Sequence, residues 1–159
     1  MSVEDLHRIA AGQARSNAER YLGEFYGIPD LRITAFKPEI GQAIWTAAKF
    51  SWPDIAQRDF GPVTLDIAVW IGARLEILAL CTGHGPQVIV RFLEGRADGD
   101  ARLKGQRLWA VLECAANFAT GLGKRELWWH PESEEFLNFC LKTIGAKQRG
   151  RQCMFRIPT

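Results

Sequence analysis

The chain has 159 residues, of which 47% are hydrophobic and 24% charged, the proportions of an ordinary soluble globule large enough for one proper core. Its net charge of +2 is too small to argue for nucleic acid by itself, and no apolar run approaches the ~20 residues of a membrane span. The opening residues, MSVEDLHRIAAGQ, are acidic and polar and lack a signal-peptide core, so a cytoplasmic protein with no membrane partner is expected.

Residues 4–26 are predicted helical. Leu6, Ile9, Ala10, Ala14, Ala18, Tyr21, Leu22 and Phe25 share one stripe, Gly12 is an internal weak point, and Gly27 with Pro29 ends the element. LRITAF (31–36) alternates like a strand. Pro38 suits a first helical turn, and Ile40, Ala43, Ile44, Ala47 and Ala48 form a second helical stripe over 39–50. SWPDIAQRDFGP (51–62), with two prolines, reads as loop or short helix.

The pattern then changes to strands. VTLDIAVW (63–70) puts Leu65, Ile67 and Val69 on one face, and Gly72 serves the following turn. RLEILALCT (74–82) is continuously apolar, as a strand buried on both faces would be. GHGP (83–86) turns into a third strand, QVIVRFLEG (87–95), which completes an antiparallel meander. A polar loop (95–104) leads to a helix with Leu108, Val111, Leu112, Ala115, Phe118, Ala119 and Leu122 on its buried stripe and Gly121 and Gly123 near its end.

RELWW (125–129) is β-prone. The strand 87–94, the long helix and this strand make a βαβ unit, which implies parallel pairing. Trp128 and Trp129 with His130 are candidate pocket lining; the simpler reading puts one of the two neighbouring tryptophans in the core and the other under a helix, with His130 as a helix-entry residue. Pro131 and the acids Glu132, Glu134 and Glu135 start a last helix, with Phe136, Leu137, Cys140, Leu141 and Ile144 as its stripe and Gly145 as its stop. AKQRGRQCMFRI (146–157) is a hairpin or two short strands. Its bases, Lys147, Arg149, Arg151 and Arg156, read as a solvated hairpin, with RNA as the competing partner. Cys81, Cys114, Cys140 and Cys153 are widely spaced in apolar contexts and read as buried free thiols. His7, His84 and His130 are equally scattered, so no metal site is expected.

The long helix is preceded by Arg102, Lys104 and Arg107 around Gly105. A helix start is the positive end of a dipole and disfavours bases, so this cluster asks for an explanation. One is an anion: orphan N–H groups and the dipole make a helix start a phosphate site. The other is a solvated loop.

The order of these pieces resembles the GNAT acyltransferase superfamily over 64–157. LDIAVWIGARLEILAL is similar to that family's second and third strands, VIVRFLEG to its fourth, and ATGLGKRELWWHPESEEF to the end of its central helix, its fifth strand and the next helix start. FLNFCLKTIGA stands where the family often has an apolar helix ending in Tyr-x-x-x-Gly-Phe. The strand 31–36 and helix 39–50 fit the first strand and helix less distinctly. The resemblance implies one α/β domain: a mixed, mostly antiparallel twisted sheet with helices on both faces, GNAT-like over 31–157, plus an N-terminal helical extension over 1–28.

The resemblance also implies a chemistry. Members commonly move an acetyl group from acetyl-CoA to an amine, without a metal. Arg102-Leu103-Lys104-Gly105-Gln106-Arg107 matches the first half of the family's Arg/Gln-x-x-Gly-x-Gly/Ala loop, whose N–H groups bind the pyrophosphate of coenzyme A; Arg107 stands where a small residue is expected. The family's fourth and fifth strands splay to admit the pantetheine arm, which makes Phe92 and Leu93 the candidate lining and Glu94 the candidate general base. The tyrosine that many members use to protonate the leaving thiolate is replaced by Leu141, and Gly-Phe is Gly145-Ala146.

The expected function is therefore an acyl-CoA-dependent N-acyltransferase with an amine acceptor of unspecified identity. A GNAT-like binding or regulatory module without catalysis, and an RNA-interacting protein, stay open as alternatives. Apolar surface on the first helix and final strands leaves a homodimer open too.

Overall fold

The computed structural model describes residues 1–36, 49–58, 60–131 and 133–158. Helix α1 (Val3–Tyr26) starts at a capping box. Ser2 Oγ accepts the Asp5 N–H at 3.1 Å, and Asp5 Oδ2 accepts the Ser2 N–H at 3.2 Å. Gly27 closes the helix at φ 64°, a left-handed conformation that glycine adopts without cost from a side chain. The face that enters the core consists of Ala11, Ala14, Ala18 and Leu22, packed towards α3 and β1. The larger residues of the expected stripe behave otherwise. Leu6, Ile9, Tyr21 and Phe25 are exposed, at 51, 52, 51 and 67%. Three alanines let the helix axis lie close to its neighbours, and the bulky side chains fall on its flank.

Strand β1 (Leu31–Thr34) stops two residues before the expected end, and Phe36 is buried beyond it. The expected helix 39–50 lies outside the described residues except for 49 and 50. Helix α2 (Trp52–Arg58) follows. The meander is β2 (Thr64–Ile71), β3 (Arg74–His84) and β4 (Gln87–Gly95), and then comes a 3-10 turn, Ala101–Leu103. Helix α3 (Arg107–Gly121) runs to β5 (Glu126–Trp129). Helix α4 (Glu134–Phe139) continues into a π-helical turn, Cys140–Ile144, and the chain ends in the hairpin β6 (Lys147–Arg149) and β7 (Gln152–Arg156).

The seven strands form one sheet in the order β1-β2-β3-β4-β5-β7-β6. Every neighbouring pair is antiparallel except β4 and β5. Each face carries its own core. Leu65, Ile67 and Val69 of β2 join α1 and α3 on one face, while Ala68 and Trp70 join Phe36, Trp52 and Ile55 on the other. Strand β2, expected to bury one face, thus buries both. Trp129 is in the core at 1% exposure and Trp128 is half-buried, as their alternation requires. Among the described residues no helix is long and apolar enough to cross a membrane.

Candidate functional site

Strands β4 and β5 share only three register pairs, Gln87↔Glu126, Val88↔Leu127 and Ile89↔Trp128. Just beyond, the register of β4 on β3 slips. Cys81 faces Val90 and Leu80 faces Phe92, so Arg91 is the extra residue of a β-bulge. A bulge bends its strand and sharpens the local twist. From this point β4 runs to Gly95 without β5 beside it, and a cleft of about 660 Å³ opens in the gap. Strand β4 lines it with Val90, Arg91, Leu93, Glu94 and Gly95. The end of β5 contributes Trp129, His130 and Pro131, and the start of α3 contributes Gly105, Arg107 and Leu108. Lys49 and Phe50, ahead of α2, and Phe136 of α4 complete the wall.

The α3 start is built as an open end. Gln106 is its N-cap and supplies no side-chain cap. The first bond into the helix runs from the Ala110 N–H to the Gln106 carbonyl at 3.0 Å. The N–H groups of Arg107, Leu108 and Trp109 therefore point out of the helix without an intrahelical acceptor. Gly105, at φ 75°, turns the chain into the helix, and the space where its Cβ would stand is free of other atoms within 4 Å.

The three bases of this region have separate fates. The Arg102 guanidinium forks onto Asp100, Nε to Oδ1 at 2.9 Å and Nη2 to Oδ2 at 2.8 Å. Hydrogen bonds from the side chain and then the backbone of Arg102 hold the Asp100 carboxyl down at about 2. Lys104 is exposed and does not line the cleft. Arg107 lies across Gly95 and donates to the Arg96 carbonyl; a Cβ at Gly95 would collide with its guanidinium. Behind the loop, buried Glu76 of β3 accepts the Asp100 N–H and pairs with Arg74. Gln106 faces away from the cleft and accepts the Tyr26 hydroxyl at 3.2 Å.

Phe92 points to the α2 face, where its ring meets Phe50 at 5.4 Å and Trp52 at 6.5 Å. Glu94 lines the cleft, and its carboxylate already accepts three N–H donors. These are the Lys49 N–H at 2.7 Å on Oε2, and the Phe50 N–H at 3.2 Å and the Trp52 indole at 2.8 Å on Oε1. Leu141 is half-buried on the π-helical turn. Trp129 Nε1 is buried without an acceptor among the described residues. All four cysteines are buried and free, and no group of three metal-ligating side chains is found among the described residues.

Of the residues the sequence singled out, the structure brings Leu93, Glu94, Gly105 and Arg107 together around the cleft. It leaves Phe92, Arg102, Lys104 and Gln106 outside it. Arg91 and Lys49 were missed, and Trp129 and His130, weighed as pocket lining but read as core and helix entry, line the cleft as well. The bulge did leave a trace: apolar positions on the α3 face run Val88, Val90, Leu93, and the step of three marks one inserted residue.

No protein-family model and no curated protein sequence matches the chain. Solved structures do. The ribosomal-protein-S18-alanine N-acetyltransferase from Escherichia coli superposes with a TM-score of 0.60 at 14% identity, over 80% of this chain and 93% of that one. Ard1 from Thermoplasma volcanium gives 0.60 at 8% identity, over 82% and 99%. The AtaT toxin, bound to the C-terminus of the antitoxin AtaR and acetyl-CoA, gives 0.50 at 12% identity, over 80% and 93%. The chain has the GNAT acetyltransferase fold. Within that fold the bulged strand, the gap beside it and the open helix start are the parts that meet at the cleft.

Proposed function

We propose that the chain is an acyl-CoA-dependent N-acyltransferase, with acetyl-CoA as donor and an amine as acceptor. One observation carries this reading: the gap between β4 and β5 is continuous with the unsatisfied N–H groups of the α3 start. A slot beside a strand edge fits an extended amide-bearing arm, and an open helix start fits a pyrophosphate. Gly105 gives such an anion close access to the backbone, and Arg107 stands beside it as a cation. We assign the main chain of Leu93 to the arm.

The donor supplies a thioester whose acyl carbon is open to attack. The amine nitrogen forms the C–N bond, the C–S bond breaks, and the proton lost by nitrogen balances the one gained by the departing sulfur. A thiolate is a tolerable leaving group, with a thiol pKa of about 8.5, so the step does not require the tyrosine that Leu141 replaces. We assign polarisation of the carbonyl to the backbone edge of β4 beside the bulge, where its pairing with β5 has ended. Glu94 was the expected base. With both oxygens already engaged by three donors, we assign it instead to holding the 49–52 segment against the cleft.

Leu141 favours a second reading, a module that binds the donor without transferring from it. A homodimer through the exposed Leu6 and Ile9 of α1 fits either reading and is checked by sedimentation. Thermal unfolding with acetyl-CoA, free CoA and ATP tests the donor site. Ligand at ~100 times its Kd adds ~2.7 kcal/mol, which for a chain of this size raises Tm by roughly 5–10 °C. A shift with both CoA species and not with ATP supports the reading, and no shift at millimolar ligand refutes it. Release of CoA thiol in the presence of amines then separates transferase from module.

A further inference from the structure

The geometry points to an anionic acceptor: a small molecule whose primary amine lies close to a carboxylate or phosphate, gripped by Arg91 and Lys49. This rests on the acyltransferase reading and narrows it to a substrate class.

The cleft passes between the two faces of the sheet, and its cations divide between them. The α3 start belongs to the face of α1 and α3, where Leu103, Ala110 and Val111 enter the core. Arg91 and Lys49 belong to the other. Arg91 Nε donates to Thr82 Oγ1 at 3.0 Å, and Thr82 follows Leu78 and Leu80 on the α2 face of β3. Lys49 Nζ lies 5.2 Å over the Phe50 ring, which packs on Phe92 on that same face. A donor whose phosphates sit at the α3 start leaves these two cations to the second substrate.

The charge on this side is one-sided. Among the described residues lining the cleft, Glu94 is the only acid, and its oxygens are occupied by Lys49, Phe50 and Trp52. Among the described lining residues on this side, a polyamine would meet two cations and a single carboxylate whose oxygens already accept three N–H groups. The Arg91 bond to Thr82 uses Nε, and among the described residues its terminal nitrogens carry no hydrogen bond, which leaves them for the paired contacts that a carboxylate or phosphate accepts.

The same charges serve the reaction. Only the unprotonated amine attacks, and a neighbouring cation disfavours the ammonium form. Arg91 and Lys49 thus hold the anionic group and lower the proton affinity of the amine beside it. The amine's first proton goes to solvent. The second leaves as the C–N bond forms, and the sulfur freed by C–S cleavage takes up one proton.

Matched pairs of amines test this on the full chain: β-alanine against propylamine, and phosphoethanolamine against ethanolamine, with spermidine as the cationic arm. Two readouts are taken, CoA-thiol release from acetyl-CoA and the added thermal stabilisation of the CoA-bound protein by each amine. The charged member of a pair is expected to act roughly tenfold or more better than its neutral twin, and which pair responds more tells carboxylate from phosphate. Arg91→Ala should remove that advantage through KM while the acetyl-CoA shift stays as in the parent, and Arg91→Lys should keep part of it. Equal action of the twins in both readouts, or preference for spermidine, overturns the proposal even where acetyl-CoA binds normally. Absence of any acetyl-CoA shift overturns the acyltransferase reading and this one with it.

Discussion

Glu94 accepts the indole N–H of Trp52 at 2.8 Å, and this bond ties the end of strand β4 to the first residue of α2 across the α2-face core. Trp52 is 2% exposed, so an indole deprived of its acceptor has no water to turn to. Glu94→Ala is expected to cost about 1–3 kcal/mol, seen as a Tm lower by roughly 2–12 °C and a shifted tryptophan emission. Glu94→Gln keeps one acceptor oxygen and should cost less. Unchanged stability in Glu94→Ala would remove the holding role.

Arg15 anchors α1 to the sheet. Its Nη2 donates to Asp66 Oδ1 at 2.6 Å and its Nε to the Asp66 carbonyl at 2.8 Å, while Asp66 Oδ2 accepts the Phe36 N–H at 2.7 Å. Asp66 is only 7% exposed. Removing the cation from a buried pair leaves an uncompensated charge, so Arg15→Ala should cost about 3 kcal/mol or more in urea unfolding. The double variant Arg15→Ala/Asp66→Asn should recover part of that loss; a strictly additive double variant would show the two sites to be uncoupled.

Asp100 gives a pH dependence of defined sign. Its folded pKa of about 2 lies below the ordinary 3.8, chiefly through hydrogen bonds from Arg102. A depressed carboxyl contributes stability that is fully present above its unfolded pKa and is lost as pH falls through the folded one. Asp100→Asn keeps a capping oxygen and loses the charge. The parent should therefore be the more stable of the two at neutral pH, with the difference closing as pH falls from about 4 towards 2. A difference constant over that range would show that the Asp100–Arg102 pair contributes nothing.

Burial pushes the Cys114 thiol up to about 12, and burial with the adjacent Cys140 thiol pushes Cys153 up to about 11; Cys81 is raised well above its ordinary value by the same desolvation. The thiolate is the nucleophile, but the reagent must also reach the sulfur, and all four side chains are buried, so Ellman's reagent at pH 8 should label none of the four cysteines in the folded protein and all four in denaturant. Rapid labelling of one cysteine under native conditions would place it at the surface.

Much of the sheet was readable because hydrophobic alternation speaks directly of faces. QVIVRFLEG begins and ends where β4 does, and RELWW contains β5. Helix α1 was placed correctly, and its expected stripe held the buried Ala14, Ala18 and Leu22, but the stripe was drawn too wide and left out Ala11. Hydrophobicity admits Leu6, Ile9 and Phe25 to the stripe, whereas close helix packing turns the small Ala11, Ala14 and Ala18 inward and leaves the bulky side chains on the flank. At the site, the Gly105–Arg107 turn was legible as an open helix start. The pairing of Arg102 with Asp100 two residues earlier was not weighed, although both stand in the same short loop. The bulge at Arg91 was hidden because one inserted residue alters pairing partners, which belong to β3, and changes the local pattern only by a single step.

Among the described residues, the backbone seam between β1–β4 and β5–β7 is the three register pairs that join β4 to β5 together with the Arg125 and Glu126 N–H groups, which the Pro86 carbonyl accepts at 3.0 and 3.1 Å. A seam so short has few amide bonds to break. The β5–β7 segment is thus expected to open as a cooperative unit at a lower free energy than the meander. Hydrogen exchange would register this as earlier loss of protection at Leu127 and Cys153 than at Ile67 and Ala79. A ligand laid along the gap would bridge the two units, so the slowest-exchanging amides of the C-terminal unit should be the ones that bound CoA protects most.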